Sequence, residues 1–135
     1  MSVRYLLDTN ICIYIMKHSP ACVREQFDRH SAAEMAMSAI TLGELRFGAE
    51  KSNARDRAID TIQRLEGTLN VMQLGRSVGV HYAQIRAHLQ SRGTVIGNND
   101  LWIAAHARSN DWTLVTNNVA EFQRVPDLRI ENWVL

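Results

Sequence analysis

The stretch VRYLLDTN, residues 3–10, decides the fold, because it is a short apolar run that stops at an aspartate. A run of this length predicts a buried β-strand over Val3–Leu7, and the polar residues after it predict a turn. The stretch WTLVTNN, residues 112–118, has the same form and predicts a strand over Trp112–Val115. Each predicted strand is therefore followed at once by polar side chains.

Predicted strands and helices alternate along the rest of the chain. Apolar runs predict strands at Met35–Met37 and Asn70–Leu74 and an edge strand at Leu128–Ile130. Helical periodicity and start signals predict helices over Ile11–Lys17, Pro20–Arg29, a segment beginning at Thr41, Ala54–Glu66, Arg76–Ser91 and Asp100–Asn110, with a helical turn at Glu121 and Phe122. Strands that alternate with helices indicate an α/β fold with a central, mostly parallel sheet of four to five strands and helices on both faces.

The length and composition are those of one ordinary globular domain. The chain has 135 residues, of which 46% are hydrophobic and 21% charged, a mixture that excludes intrinsic disorder. We find no repeat and no internal boundary, so residues 1–135 are predicted to form a single domain. The sequence lacks an apolar run of the roughly 20 residues that span a bilayer and a secretory signal at its N-terminus. We therefore expect a cytoplasmic protein without membrane attachment.

The charge balance excludes a strongly basic nucleic-acid-binding domain. Fifteen Lys and Arg residues against fourteen Asp and Glu residues give a net charge of +1. A local basic face remains compatible with this balance. Arg46, Arg86 and Arg92 are candidates for contacts with phosphates, and the alternative is that each belongs to a solvated helix face.

Three acidic residues and one amide occupy positions where the predicted chain enters or leaves the sheet. They are Asp8, Glu44, Asp100 and Asn118. Ligands of parallel sheets bind beyond the carboxyl ends of the strands, so we expect these side chains to converge there. Carboxylates gathered in one place repel one another unless protons or a cation neutralise them. Oxygen ligands of this type suit Mg²⁺ or Mn²⁺.

Each acidic residue also has a purely structural interpretation. Glu44 has the spacing of a capping box with Thr41, and Asp100 is a favourable charge at a helix start where Asn98 and Asn99 are candidate N-caps. Asp8 has the chemistry of an ordinary turn residue. Two other functions stay open: a phosphotransferase with Asp8 as nucleophile, which lacks a second acidic residue two positions on, and a non-catalytic module that binds RNA or protein.

Four blocks of the sequence resemble those of a known family in order and spacing. They are LLDTNI at residues 6–11, SAITLGEL at 38–45, IGNNDLWIAAHA at 96–107 and TLVTNNVAEF at 113–122. They resemble the PIN-domain ribonucleases and, more narrowly, the VapC toxins of VapBC toxin–antitoxin pairs. The likeness extends over essentially the whole chain, including the closing IENWV. It implies a PIN-like three-layer sandwich and a Mg²⁺-dependent endoribonuclease, with Mn²⁺ as a substitute.

The resemblance assigns roles to individual residues. Asp8, Glu44 and Asp100 match the three acidic positions that carry catalysis and hold the metal in the family. The supporting positions fall on Asn10, Thr116 and Asn118, the last of which replaces a fourth acidic residue.

The amide at Asn118 leaves a second metal site open to question, because an amide supplies a neutral oxygen and no charge. Glu121, about one helical turn further on, is an alternative acidic contributor.

The resemblance also implies a substrate and partners. The substrate is structured RNA, with the anticodon stem-loop of a tRNA, in particular initiator tRNA, as the first choice. A VapB-like antitoxin is expected to bind beside the active site and occlude it. A homodimer is expected as well.

Overall fold

Five short strands form one sheet in the computed structural model, which describes residues 2–134. The strands are β1 Tyr5–Leu7, β2 Met35–Ser38, β3 Asn70–Met72, β4 Thr113–Val115 and β5 Ile130–Glu131. Their order across the sheet is β3-β2-β1-β4-β5, and every pairing is parallel. The predicted α/β class is confirmed, and the predicted mostly parallel sheet is parallel throughout.

The first strand lies in the middle of the sheet. Tyr5 pairs with Met35 of β2 on one side and with Thr113 of β4 on the other. At the end of β1, the backbone N–H of Asp8 donates to the carbonyl of Val115 over 3.0 Å. Asp8 therefore lies at the centre of the carboxyl edge, where a parallel sheet collects its functional side chains.

Helices cover both faces of the sheet. They are α1 Thr9–Lys17, α2 Ala21–Arg29, α3 Ala39–Glu50, α4 Arg55–Glu66, α5 Arg76–Ser91, α6 Asn98–Ser109 and α7 Val119–Phe122, with a 3₁₀ turn at Ala32–Glu34. Side chains of a strand alternate between its two faces. Accordingly Leu7 packs in a core with α1 to α4, whereas Leu6 packs in a second core with α5, α6 and α7. The predicted three-layer arrangement is confirmed.

Two helix starts differ from the predicted ones. Helix α3 begins at Ala39 and is capped by Ser38, whose Oγ accepts from the N–H of Ile40 over 3.1 Å. The capping box of Thr41 with Glu44 is therefore wrong: Thr41 is buried inside the helix, and Glu44 lies in the second turn.

Helix α6 begins at Asn98 after Gly97, so Asn98 and Asn99 are its first helical residues and not its caps. Both side chains are thus free for contacts with other elements. Strand β3 also ends earlier than predicted, at Met72, because the chain turns away there towards α5 and Leu74 is exposed. Among residues 2–134, no helix combines the length and the apolarity needed to cross a bilayer.

Candidate active site

A cleft of about 210 Å³ opens at the carboxyl edge of the sheet beside the end of β1. We call it the acidic cleft; its lining residues are Asp8, Thr9, Asn10, Glu44, Asp100, Asn118 and Phe122. The three acidic side chains come from the turn after β1, from α3 and from α6. The lining holds no Lys, Arg or His side chain. The fold thus brings together the residues that the sequence analysis singled out.

Asp8 is almost fully buried, with 5% of its surface exposed. Its Oδ1 accepts from the N–H of Ile11 over 2.9 Å and so caps α1, while its Oδ2 accepts from Oγ1 of Thr116 over 2.5 Å. Burial raises the pKa of Asp8 above its ordinary value, and the charge of Glu44 adds to this rise. The two hydrogen bonds oppose the rise and fix both oxygens in place.

Thr116, the buried residue that follows β4, connects Asp8 to the next turn of the chain. Its hydroxyl donates to Asp8 and accepts from the backbone N–H of Asn118 over 2.9 Å. The contact places Asn118 at the cleft wall. The structure therefore brings the supporting hydroxyl predicted at Thr116 into direct contact with the first acidic residue.

Asp100 lies in the first turn of α6 and is half-buried. Burial is the main cause that raises its pKa to about 6, and the negative charges of Glu44, Glu121 and Asp8 raise it further. Glu121 is not part of the cleft lining, so it acts on Asp100 through its charge. The carboxylates of this edge thus destabilise the charged forms of Asp8 and Asp100.

Glu44 is held by two residues that the sequence analysis did not assign to the site. Thr9 donates its hydroxyl proton to Oε1 over 2.5 Å, and Nδ2 of Asn99 donates to Oε2 over 3.3 Å. Their position in the sequence was the available signal, since Thr9 follows Asp8 directly and Asn99 precedes Asp100. The local pattern alone predicts a turn at Thr9 and a helix cap at Asn99.

The donor set suits a hard divalent cation. None of the ion pairs within residues 2–134 involves Asp8, Glu44, Asp100 or Glu121. In the same residues, no three His, Cys, Asp or Glu side chains form a complete ligand group by themselves. Mg²⁺ does not require one, because it keeps several waters and binds through one or two carboxylates together with substrate phosphates. A divalent cation stabilises carboxylates that repel one another and have no cationic side chain beside them.

The three arginines proposed for RNA lie outside the acidic cleft. Arg46 lines a separate small pocket with Gln63 and Glu66. Arg86 donates to the hydroxyl of Tyr82 over 2.8 Å, and Arg92 is the exposed C-cap residue that follows α5. Contact of these side chains with phosphate remains a prediction.

The comparisons with known proteins agree with the geometry. The PIN domain family matches residues 5–128. The chain is 43% identical over 132 residues to ribonuclease VapC2 of Haemophilus influenzae, covering 98% of this chain and 99% of that one. It is 41% identical to the tRNA(fMet)-specific endonuclease VapC of Salmonella typhimurium, covering 97% and 98%. The crystal structure of DNA-bound VapBC from Salmonella typhimurium superposes with a TM-score of 0.92 at 41% identity, over 97% of this chain and 98% of that chain.

Proposed function

This chain belongs to the PIN-domain family and, within it, to the VapC ribonuclease toxins, and on that premise we propose that it is a Mg²⁺-dependent endoribonuclease that cleaves tRNA. The observation that carries the proposal is the convergence of Asp8, Glu44 and Asp100 on one cleft without a cationic side chain. Three carboxylates from distant parts of the chain repel one another and are costly to gather without a cation.

The residues of the cleft have different roles in the proposed reaction. Asp8 and Asp100 would hold one Mg²⁺ or Mn²⁺ ion, with Glu44 beside them in the cleft. When bound, the ion supplies positive charge against the negative charge that develops on the scissile phosphate. Thr116 and the N–H of Ile11 hold the oxygens of Asp8, which keeps this ligand oriented. Asn10 and Asn118 offer amide groups to the bound RNA from the cleft wall.

Glu44 is the residue that handles the proton of the attacking water. It accepts this proton while the water oxygen attacks phosphorus in line with the bond to the 3′-oxygen. That bond breaks, the 3′-oxygen takes a proton from solvent, and the products carry a 5′-phosphate and a 3′-hydroxyl. The ribose 2′-hydroxyl takes no part, so the preference for RNA comes from shape and from unstacked bases.

We propose the anticodon stem-loop of a tRNA, and initiator tRNA in particular, as the substrate. The Salmonella relative is named a tRNA(fMet)-specific endonuclease, which supports this choice. Arg46, Arg86 and Arg92 are proposed to contact the phosphates of the tRNA outside the cleft. Each such contact makes binding more dependent on salt, so replacement of one arginine by Gln should lower the slope of log affinity against log salt by about 1. An unchanged slope removes that arginine from the interface.

The proposed partner is a VapB-like antitoxin that covers the cleft, and the solved relatives include a VapBC complex. A groove of about 660 Å³ runs beside the acidic cleft between α1, α3 and α4; it is mainly apolar, with Ile13, Leu45 and Ile62 in its wall. Thr9 and Glu44 line both the groove and the cleft. An antitoxin segment in this groove would therefore reach the active site. Relief of growth arrest by co-expression of the neighbouring reading frame tests this partner.

We also propose a homodimer. Val80 of α5 and Val95 after it are large apolar side chains that remain exposed, with 53% and 45% of their surface accessible. Such side chains are compatible with a second copy of the chain as their cover. Sedimentation of the purified protein tests this, and a monomer at micromolar concentration contradicts it.

The experiment that tests the enzyme is sequencing of RNA 5′ ends after induction of the wild type and of Asp100→Ala. New 5′-phosphate ends in tRNA are expected with the wild type and not with Asp100→Ala. We propose that the protein acts in the cytoplasm, where tRNA is found. Purified protein should cleave the same tRNA with Mg²⁺ and not with a chelator. Binding of tRNA without cleavage would favour the non-catalytic module, and a phosphoenzyme on Asp8 would favour the phosphotransferase.

A further inference from the structure

Both carboxylate oxygens of Glu44 are bonded by side chains from two other helices. Thr9, the first residue of α1, bonds Oε1 at 2.5 Å, and Asn99, the second residue of α6, bonds Oε2 at 3.3 Å. The partners are 35 and 55 residues away from Glu44 in the chain. One carboxylate on α3 therefore joins three helices at the cleft.

The bond from Thr9 to Glu44 also fixes the direction of the contact between Thr9 and Thr41. Oγ1 of Thr41 lies 3.2 Å from Oγ1 of Thr9, and Thr41 is completely buried. A hydroxyl has a single proton to donate, and an ionised carboxylate can only accept. Thr9 therefore donates to Glu44 and accepts from Thr41, so that the two hydroxyls form a chain that ends on the carboxylate. Hydrogen bonds in such chains strengthen one another.

Glu44 lies where two open spaces meet. It lines the acidic cleft and also the wider apolar groove, and it is only half-buried. A free glutamate side chain has many rotamers and would distribute between both spaces. The hydrogen bonds from Thr9 and Asn99 hold the Glu44 side chain in one of its possible orientations.

We propose that Thr9 and Asn99 are positioning residues that hold the Glu44 carboxylate in the cleft, with Thr41 directing the Thr9 hydroxyl. The expected effect on cleavage rests on the proposed ribonuclease function, in which Glu44 handles the proton of the attacking water. A misplacement of about 1 Å at such a group costs on the order of a hundredfold in rate. The network thus acts on the rate of the chemical step and not on the binding of RNA.

Steady-state cleavage of a tRNA substrate by matched variants tests this. Thr9→Val keeps the shape and removes the hydroxyl, and it should lower kcat about tenfold to a hundredfold with KM within about twofold. Asn99→Ala should lower kcat in the same direction. Thr9→Ser restores the hydroxyl and should recover most of kcat. Thr68→Val is the control, because within residues 2–134 the Thr68 hydroxyl bonds only the carbonyl of Leu65, in the last turn of α4 that directly precedes it.

A double-mutant cycle separates positioning from a general loss of structure. Once Glu44 is absent, Thr9 has nothing to position, so Thr9→Val should cause no further loss of activity in the Glu44→Ala background. A multiplicative loss in the double variant would show that Thr9 acts by another route. Retention of full kcat by Thr9→Val would overturn the proposal as well.

A metal-free crystal structure of Thr9→Val gives a readout that needs no activity. The Glu44 side chain should occupy more than one rotamer or turn into the apolar groove, while the backbones of α1 and α3 stay in place. An unmoved Glu44 contradicts the proposal. If the wild type cleaves no RNA, the ribonuclease function fails, and this structure still decides whether Thr9 holds Glu44.

Discussion

Thr116 donates its hydroxyl proton to Oδ2 of Asp8 over 2.5 Å, although 108 residues separate the two in the chain. The bond joins the residue after β4 to the residue after β1, and these strands are direct neighbours in the sheet. Because both residues are buried, the bond forms away from competing water. It is one of the interactions that lower the pKa of Asp8 against the effect of burial.

Replacement of Thr116 by Val should therefore weaken both the site and the fold. The pKa of Asp8 rises further without this bond, and the N–H of Asn118 loses its acceptor. We expect the free energy of unfolding to fall by about 1–2 kcal/mol and cleavage at neutral pH to drop. Urea denaturation and a tRNA cleavage assay measure the two effects. Thr116→Ser should recover both, and a fully active Thr116→Val would contradict the role of the hydroxyl.

Asp100→Asn should stabilise the protein while abolishing cleavage. The pKa of Asp100 in the folded protein is about 6, above its ordinary value of 3.8, so the folded state binds this proton more tightly than the unfolded state. The stabilising effect of protonation is complete below about pH 4 and is lost as the pH rises through about 6. Without metal at about pH 7.5, the amide should raise the free energy of unfolding by about 1–2 kcal/mol, less than the full pKa shift corresponds to, because solvent screens the charge of this half-exposed side chain.

The same variant should show little such gain at about pH 3, which lies below both pKa values, so that the wild-type carboxyl is largely protonated in the folded and the unfolded state. Urea denaturation in the presence of a chelator at both pH values measures this difference. An equal gain at the two pH values would mean that the amide acts by packing and not by removing a charge.

Millimolar Mg²⁺ or Mn²⁺ should raise the Tm of the wild type, because an ion that binds only the folded state stabilises it by mass action. The Asp8→Asn/Asp100→Asn double variant lacks two of the proposed ligands, so its Tm should not respond. Thermal unfolding followed by circular dichroism, with and without a chelator, measures both. An equal rise in the double variant would place the ion elsewhere on the protein.

A histidine in the second core should make stability depend on pH in the opposite direction. Nδ1 of His106 lies 2.8 Å from Oγ of Ser38, and burial lowers the pKa of His106 below its ordinary 6.5. Below about pH 6.5, His106 therefore binds a proton more readily in the unfolded chain than in the folded protein. As a result, the free energy of unfolding falls as the pH drops below about 6.5.

His106→Gln keeps polar atoms in place and cannot titrate in this range. The difference in unfolding free energy between wild type and His106→Gln isolates this residue from Asp100, whose effect has the opposite sign. We expect this difference to shrink as the pH is lowered from about 7.5 towards 5. A constant difference would show that His106 contributes through packing alone.

The apolar runs were sufficient to predict the sheet, because buried parallel strands consist almost entirely of apolar residues. Predicted and observed strand ends differ by up to two residues. The rule that ligands lie beyond the carboxyl ends of strands was sufficient to place Asp8 and Asp100 in one cleft. Both inferences depend on local pattern and on general topology.

The arrangement around Glu44 was not predictable in the same way. The spacing of Thr41 and Glu44 suggested a capping box, but Ser38 takes the cap, because the strand continues one residue further than its apolar run. Thr9 and Asn99 reach Glu44 only once three helices have packed together. Contacts of this kind depend on tertiary structure, and no single stretch of sequence contains them.

The central place of β1 has a consequence for the newly made chain. Of the five strands of the sheet, β1 is made first, and it pairs with β4, which is made fourth. Until β4 has emerged, Asp8 lacks Thr116, and Asp100 has no completed sheet edge to face. A half-synthesised copy without β4 therefore lacks the assembled acidic cleft on which the proposed nuclease activity depends.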